Sequence, residues 1–208
     1  MILYAVIDTN ILVSALLTSN PASPTKEILN HVRGGTITPM INGEIIGEYT
    51  DVLTRSKFNF AKTDIEDVLN FFLVKGENYT PGCLRDEFPD LDDIIFYETY
   101  LLKEDAYLIT GNLKHFPSES RIVSPADIIQ IISLSEKANN HILSEPQAKY
   151  ISDANKIKLR RAWDAIERMR ASAVANGIAD MSMEEIDEEI RLAREDMKNE
   201  HRQKLLTI

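Results

Sequence analysis

The chain begins with an apolar segment that ends in a carboxylate and continues without a break into a second apolar segment. Residues 2–7 are almost all aliphatic, Asp8-Thr9-Asn10 follows, and residues 11–17 are again mostly aliphatic. Because no Gly or Pro separates the two segments, they predict a buried strand over residues 2–8 and a helix over residues 10–18. A buried strand that leads directly into a helix is typical of α/β folds.

The same alternation continues through the first two thirds of the chain. Three further strands are predicted, over residues 36–41, 106–110 and 122–123. Ser23, Asn42 and Thr63 are predicted to cap the N-termini of helices between them. This order predicts a parallel sheet covered on both faces, with ligands at the carboxyl ends of the strands. Neither a P-loop nor a GxGxxG motif occurs, which excludes the commonest nucleotide-binding versions of this architecture.

The character of the sequence changes near residue 135. Residues 135–151 include Asn-Asn and Ser-Glu-Pro stretches typical of a linker, and two amphipathic helices are predicted within residues 152–208. Ser182 and Glu185 form a capping box at the start of the second helix. Neither helix carries enough apolar surface to fold alone, so both are expected to dock onto another surface. The predicted organisation is a domain over residues 1–134, a linker over 135–151 and a helical tail over 152–208.

Negative charge is concentrated in the first domain. The whole chain has a net charge of −10, and residues 1–139 carry 11 Lys and Arg against 20 Asp and Glu. A domain with this acidic excess is a poor general binder of nucleic acid, because affinity for nucleic acid depends mainly on basic side chains that neutralise phosphates. No apolar run approaches the length of a membrane span, and the single cysteine excludes an internal disulfide. A cytoplasmic protein without a membrane partner is therefore expected.

Acidic side chains are predicted to meet at the carboxyl edge of the sheet. Asp8 ends the first strand, Glu48 lies on a helix after the second, Asp93 begins a helix, and Asn112 follows strand 106–110. Three acids and an amide without His or Cys suit Mg²⁺ or Mn²⁺. Each residue also has a simpler explanation, as a helix cap, a surface acid or a turn residue. The combination favours a metal site, because capping does not require Glu48.

Four motifs resemble, in order and spacing, the successive motifs of PIN-domain proteins, and most closely the toxin-like subgroup of VapC-like endoribonucleases. Within residues 1–132 they are Asp8-Thr-Asn-Ile-Leu12, Glu48-Tyr-x-x-Val-Leu53, Asp90-Leu-Asp-Asp-x-x-Phe96 and Leu108-Ile-Thr-Gly-Asn-x-x-His-Phe-Pro117. The resemblance implies a Rossmann-like three-layer α/β/α sandwich with a central parallel sheet, here with a C-terminal helical extension. It also implies metal-dependent cleavage of single-stranded RNA.

The resemblance implies roles for individual residues. The metal-binding acids fall on Asp8, Glu48 and Asp93, which form the predicted catalytic set together with Asn112. The predicted chemistry is hydrolysis of a phosphodiester by a water that Glu48 or Asp93 orients. Thr9 and Asn10 are expected to orient the first acid. The substrate-binding candidates are Thr9, Asn10, Asp90, Thr110, Lys114 and His115. Many PIN domains carry an aspartate where this chain has Asn112, so a second metal would be held less tightly.

Residues 175–194 resemble the C-terminal segment of antitoxins that neutralise PIN toxins. Such segments lie along the toxin's groove as a helix and reach the acidic site with an arginine, for which Arg191 and Arg194 are the candidates. The resemblance implies an endoribonuclease held inactive by its own tail, in cis or across a homodimer.

The sequence also leaves room for three alternatives. The tail could be an amphipathic hairpin that extends or dimerises the domain. The chain could be a non-catalytic PIN-like interaction module in which Asn112 has cost the activity. A phosphotransfer enzyme with Asp8 as nucleophile is disfavoured, because haloacid-dehalogenase-like enzymes need a second aspartate where this chain has Asn10.

Overall fold

Short aliphatic strands alternate with longer helices along the chain. The computed structural model describes residues 2–80, 93–139 and 152–206. The strands are β1 (Leu3–Ile7), β2 (Ile37–Ile41), β3 (Glu77–Asn78), β4 (Tyr107–Ile109) and β5 (Ile122–Val123). The helices are α1 (Thr9–Leu17), α2 (Pro24–Gly34), α3 (Gly43–Leu53), α4 (Lys62–Lys75), α5 (Ile94–Leu101), α6 (Pro125–Asn139), α7 (Asp153–Ala175) and α8 (Met183–Leu206), and a 3₁₀ turn spans Leu113–His115.

The five strands form one parallel sheet in the order β3-β2-β1-β4-β5. The chain runs outward from β1 through β2 to β3, and then returns to place β4 and β5 on the other side of β1. The connections after β1 and β4 therefore diverge, which leaves a crevice at the carboxyl ends of these two central strands. The register pairs Ile7 with Ile109, so the residues that follow both strands emerge side by side. The predicted α/β fold with a parallel sheet and C-terminal helices is confirmed.

The first helix of the tail is part of the hydrophobic core. α7 packs along α4 and also contacts α1. Its small and aliphatic side chains Ala162, Ala165, Ile166, Met169 and Ala173 are buried in the same cluster as β1 and α1. The burial of this stripe explains why a helix with a polar outer face is stable here.

Polar contacts surround the α7 interface. The Trp163 ring lies 6.3 Å from the Phe71 ring and is covered by the guanidinium of Arg33 at 4.3 Å. The Arg168 guanidinium forms an ion pair with Asp64 at 2.6 Å, and Arg161 pairs with Asp67 at 3.2 Å. Both arginines are at least half exposed, so these two ion pairs contribute little to stability. Their role is to fix the position of α7 along α4.

Two helix caps form as predicted. The backbone N–H of Ile45 donates to Asn42 Oδ1 at 2.9 Å at the start of α3. Before α8, the Glu185 N–H donates to Ser182 Oγ and the Ser182 N–H donates to Glu185 Oε2, at 3.2 and 2.8 Å, which completes the capping box.

The prediction at Ser23 is half right, and the one at Thr63 is wrong. Ser23 is the N-cap residue of α2 and Pro24 its first residue, but the Ser23 hydroxyl contacts Thr25 Oγ1 instead of a helix N–H. α4 begins at Lys62 after Ala61, which places Thr63 inside the first turn. The sequence pattern also missed β3, because two residues are too short for a period to be visible. α6 extends to Asn139, past the predicted domain end at 134, and residues 140–151 of the predicted linker lie outside the described residues.

Candidate active site

Asp8 occupies the crevice between β1 and β4. Its backbone N–H donates to the Ile109 carbonyl at 2.9 Å, which extends the β1–β4 pairing by one residue. Asp8 stands at the cap position of α1, but its carboxylate makes no bond to a helix N–H. Instead, Oδ2 accepts a hydrogen bond from the Thr110 hydroxyl at 2.6 Å, and the residue is only 4% exposed. Helix capping therefore does not account for this carboxylate.

Glu48 reaches the same crevice from α3 and is 7% exposed. The Thr9 hydroxyl donates to Glu48 Oε1 at 2.6 Å, so Thr9 positions Glu48, where the sequence had predicted that it orients Asp8. The neighbouring Tyr49 is buried, and its hydroxyl donates to the carbonyl of Ile7 at the end of β1. These two bonds hold the α3 segment that carries Glu48 against the beginning of α1 and the end of β1.

Asn10 and Thr110 connect the start of α1 to the loop after β4. Asn10 Oδ1 accepts the Gly111 N–H at 3.1 Å. The Thr110 hydroxyl, which donates to Asp8, accepts the Asn112 N–H at 3.0 Å. Both residues were predicted as substrate-binding candidates, and the structure places both beside Asp8 with their side chains fixed by backbone groups.

Asp93 immediately precedes α5 and is 3% exposed. Its Oδ2 lies 2.7 Å from His115 Nδ1, and His115 Nε2 lies 2.7 Å from the Asn112 side-chain nitrogen. Asn112 and His115 thus form a chain of contacts that ends on Asp93. Lys114 is exposed beside them, and Asp90 lies outside the described residues.

The tail delivers an arginine to two of the three acids. Arg194 Nη2 lies 2.9 Å from Glu48 Oε1 and 2.8 Å from Asp93 Oδ1, and Nε donates to Glu48 Oε2 at 3.2 Å. Arg191, the other candidate, instead pairs with Glu188 and Glu195 of its own helix and is half-exposed. Of the two arginines expected from the sequence, Arg194 is therefore the one that meets the acidic cluster.

The sequence analysis missed a second tail residue in the crevice. Asp187 Oδ1 accepts a hydrogen bond from the Asn10 amide at 3.2 Å, and its Oδ2 lies 3.5 Å from the Asn112 amide. A sequence signal was available, because Asp187 and Arg194 are seven residues apart and lie two turns apart on one face of α8. Both flank the buried stripe of Ile186, Ile190 and Ala193.

Three further contacts fasten α8 to the domain. Arg55 donates to Glu189 at 2.7 Å and to Asp196 at 3.0 Å. Met183 lies against Gly111, where a Cβ atom would come within 2.7 Å of the Met183 sulfur. The first turns of α8 therefore rest directly on the loop that follows β4.

Burial raises the pKa of Asp8 to about 7, and the Asp93 carboxylate adds to this increase against the Thr110 hydrogen bond. Burial also raises the pKa of Glu48, although Arg194 opposes it. Burial lowers the pKa of Arg194, but the Glu48 and Asp93 carboxylates outweigh this and raise it overall. A cavity of about 330 Å³ opens beside these groups. The site thus brings more negative charge together than the single positive charge of Arg194 balances.

The donor set fits a hard divalent cation. Asp8, Glu48 and Asp93 contribute carboxylate oxygens, which are the ligands that Mg²⁺ and Mn²⁺ prefer. In the described part of the chain, no three acidic, His or Cys side chains are arranged as a ready metal centre, and the Arg194 guanidinium bridges Glu48 and Asp93. A cation at this site would therefore take the position that the guanidinium now holds.

Comparison with known protein families agrees with this geometry. A family model described as PIN domain matches residues 4–114, just over half of the chain. The matched segment contains Asp8, Glu48, Asp93 and Asn112 and ends before α6, α7 and α8. Comparison with curated proteins and with solved structures gave no match. None of the helices in the described ranges has the length and hydropathy required to cross a membrane.

Proposed function

Since this chain belongs to the PIN domain family, whose members are generally metal-dependent nucleases, we propose that it is a Mg²⁺- or Mn²⁺-dependent endoribonuclease of the toxin–antitoxin type. Its substrate is single-stranded RNA in the cytoplasm, and its C-terminal tail holds it inactive. The observation that supports the proposal best is the contact of Arg194 with Glu48 and Asp93 at the sheet edge. A guanidinium that binds two buried carboxylates at once is a strong and specific ligand.

Asp8, Glu48 and Asp93 would hold the metal ion. When bound, such an ion acidifies water and offsets the charge that builds on phosphate oxygens during hydrolysis. The chain's own groups prepare the site. Thr110 fixes the orientation of Asp8, and Thr9 fixes that of Glu48. With both acids held by hydroxyl groups, little reorganisation is needed when the site is loaded.

Inhibition by the tail is the second half of the proposal. Arg194 would compete with the metal for Glu48 and Asp93, and α8 would cover the crevice that RNA must enter. α7 is anchored in the core, so α8 remains close to the site at high effective concentration. Arg55, a basic side chain that could otherwise contact RNA phosphates, is paired with Glu189 and Asp196 of α8. Action of the tail across a homodimer, in place of its own domain, stays a prediction.

The charge of the domain narrows the expected substrate. With 11 basic against 20 acidic residues over positions 1–139, general affinity for RNA phosphates is low. A specific RNA target or a weak activity fits this charge better than indiscriminate degradation.

The test compares two arginines on the same helix. Arg194→Ala and Arg191→Ala are made in the full chain, and cleavage of single-stranded RNA is followed with Mg²⁺ or Mn²⁺ and with EDTA. We expect metal-dependent cleavage by Arg194→Ala at least tenfold faster than by the wild type, and no change in Arg191→Ala, whose guanidinium pairs with Glu188 and Glu195 of its own helix. Addition of Asp8→Asn to Arg194→Ala should abolish the cleavage. Equal rates in the wild type and in Arg194→Ala would contradict inhibition by this residue.

The alternative is a non-catalytic PIN-like module whose tail mediates assembly. It is favoured by Asn112, whose amide contacts His115 where many PIN domains carry another acid. Isothermal titration of Mn²⁺ into Arg194→Ala separates the two functions. Saturable metal binding that Asp8→Asn removes supports the nuclease, and absence of binding supports the module.

A further inference from the structure

We propose that the side-chain amides of Asn10 and Asn112 form a binding subsite for one phosphodiester group of the RNA, and that the Asp187 carboxylate occupies it as an internal substrate mimic. The inference rests on the proposed nuclease function, because it assigns the position of the substrate in the same site. The subsite explains the role of the Asp187 carboxylate, whereas the proposed inhibition explains the role of the Arg194 guanidinium.

The Asn10 amide is oriented before any ligand arrives. Its Oδ1 accepts the Gly111 N–H at 3.1 Å, so its NH₂ group is turned in the opposite direction, where it donates to Asp187 Oδ1 at 3.2 Å. The Gly111 bond fixes the amide because the alternative orientation would place two donors against each other. Asn10 therefore presents a fixed donor to the crevice, independently of the tail.

Asn112 provides the second donor. Its Nδ2 lies 2.7 Å from His115 Nε2 and 3.5 Å from Asp187 Oδ2, and an NH₂ group has one hydrogen for each neighbour. Its backbone N–H is held by the Thr110 hydroxyl at 3.0 Å. Two amides thus face the two oxygens of one carboxylate. The two non-bridging oxygens of a phosphodiester offer the same pair of acceptors and the same single negative charge.

The position of Asp187 is otherwise difficult to explain. Its carboxylate lines the same cavity as Asp8, Asp93 and Arg194, and it is placed beside like charges. Burial raises the pKa of Asp187, and the hydrogen bond from Asn10 opposes that increase. In a helix that only covered the crevice, an uncharged acceptor at this position could accept the same hydrogen bonds without repulsion from Asp93. The tail instead brings a cation to the acids and an anion to the amides, which is the charge pattern of a bound metal and a bound phosphate.

The experiment measures binding of the smallest RNA that contains a phosphodiester, the dinucleotide UpU. Full-chain wild type, Asp187→Ala and the control Glu188→Ala are titrated with UpU in EDTA, and the side-chain NH₂ signals of Asn10 and Asn112 are followed by NMR. Glu188 lines the same cavity but pairs with Arg191 of its own helix. Arg194 is kept in all three proteins, so Glu48 and Asp93 keep their contact with its guanidinium while the subsite is open. Uridine serves as the ligand without phosphate.

We expect UpU to shift both amide signals of Asp187→Ala saturably, with affinity at least tenfold higher than for the wild type or Glu188→Ala. Uridine should not do so, and Asn112→Asp added to Asp187→Ala should remove the gain by placing a negative charge against the phosphate. Equal affinities of Asp187→Ala and Glu188→Ala would overturn the proposal. So would equal binding of uridine and UpU, or a gain that survives Asn112→Asp. Because EDTA prevents cleavage, this result is independent of whether Arg194→Ala cleaves RNA.

Discussion

Replacement of Arg194 by Ala should destabilise the protein strongly, and a divalent cation should reverse the loss. Glu48 and Asp93 are 7% and 3% exposed, and the substitution removes the guanidinium from both, which leaves Asp93 with its contact to His115. Removal of one partner from a buried ion pair costs about 3–5 kcal/mol. For a chain of this size, each kcal/mol lowers Tm by about 2–4 °C, so the expected decrease is roughly 6–20 °C.

Arg191→Ala is the matched control. Its exposed pairs with Glu188 and Glu195 are each worth about 0.2–1 kcal/mol, so its Tm should fall by no more than a few degrees. Excess Mg²⁺ or Mn²⁺ should then raise the Tm of Arg194→Ala. A ligand present at a hundred times its Kd contributes about 2.7 kcal/mol. The wild type should gain much less, because its own guanidinium holds the position.

The assay is thermal unfolding followed by circular dichroism, in EDTA and in excess metal, for the three proteins in parallel. The destabilisation should be largest near about pH 8 and shrink in mild acid, because burial raises the pKa of Glu48, Arg194 no longer opposes that increase, and Glu48 can then take up a proton. Equal losses in Arg194→Ala and Arg191→Ala would refute a buried charge cluster neutralised by Arg194. Equal stabilisation of the wild type and Arg194→Ala by metal would refute competition for one position.

Three further outcomes follow from the structure. The pKa of Asp8 is about 7 in the fold against an ordinary value of 3.8. The fold therefore favours protonated Asp8, and the stability that this contributes is fully present below about pH 4 and is lost as pH rises through about 7. The free energy of unfolding of Asp8→Asn should therefore exceed that of the wild type near about pH 8, by up to about 4 kcal/mol. The difference should vanish near about pH 4, and a difference that stays constant with pH would contradict this. Gly111→Ala should cost about 1 kcal/mol or less, because the overlapping atoms belong to the flexible end of the Met183 side chain and can move aside, and Met183→Ala should relieve the cost in a double-mutant cycle measured by urea unfolding, whereas purely additive effects would show that the two residues do not meet. Ile166→Ala in α7 should cost about 2–5 kcal/mol in a single cooperative transition, and a separate early transition would mean that α7 is not part of the core.

The positions of the site residues that directly follow a strand were predictable from the local sequence. Asp8 directly follows an aliphatic strand, and Asn112 follows the neighbouring one, so a parallel sheet necessarily brings their backbones to one edge. Asp93 could be placed near that edge because it begins a helix and helix N-termini lie there, whereas the position of Glu48 needed the resemblance, since a helix surface gives no distance to a strand end. Residues 90–92, which carry part of the third motif, lie outside the described residues.

The partners of individual side chains were not predictable in the same way. Thr9 adjoins Asp8 in sequence but bonds to Glu48, because the first turn of α1 directs its hydroxyl toward α3. Likewise, Arg191 and Arg194 look equivalent beside the apolar stripe of α8. The rotation of the docked helix decides between them, and it leaves Arg191 with Glu188 and Glu195.

The sequence by itself determined the α/β architecture, the acids available to the site and the two helices that follow the domain. These depend on periodicity and on residue type, which are local properties of the chain. Only the tertiary structure decided that α7 belongs to the core, that Arg194 meets Glu48 and Asp93, and that Asp187 lies on the amides of Asn10 and Asn112. These contacts join residues more than 70 positions apart, and they depend on how one helix face docks against another.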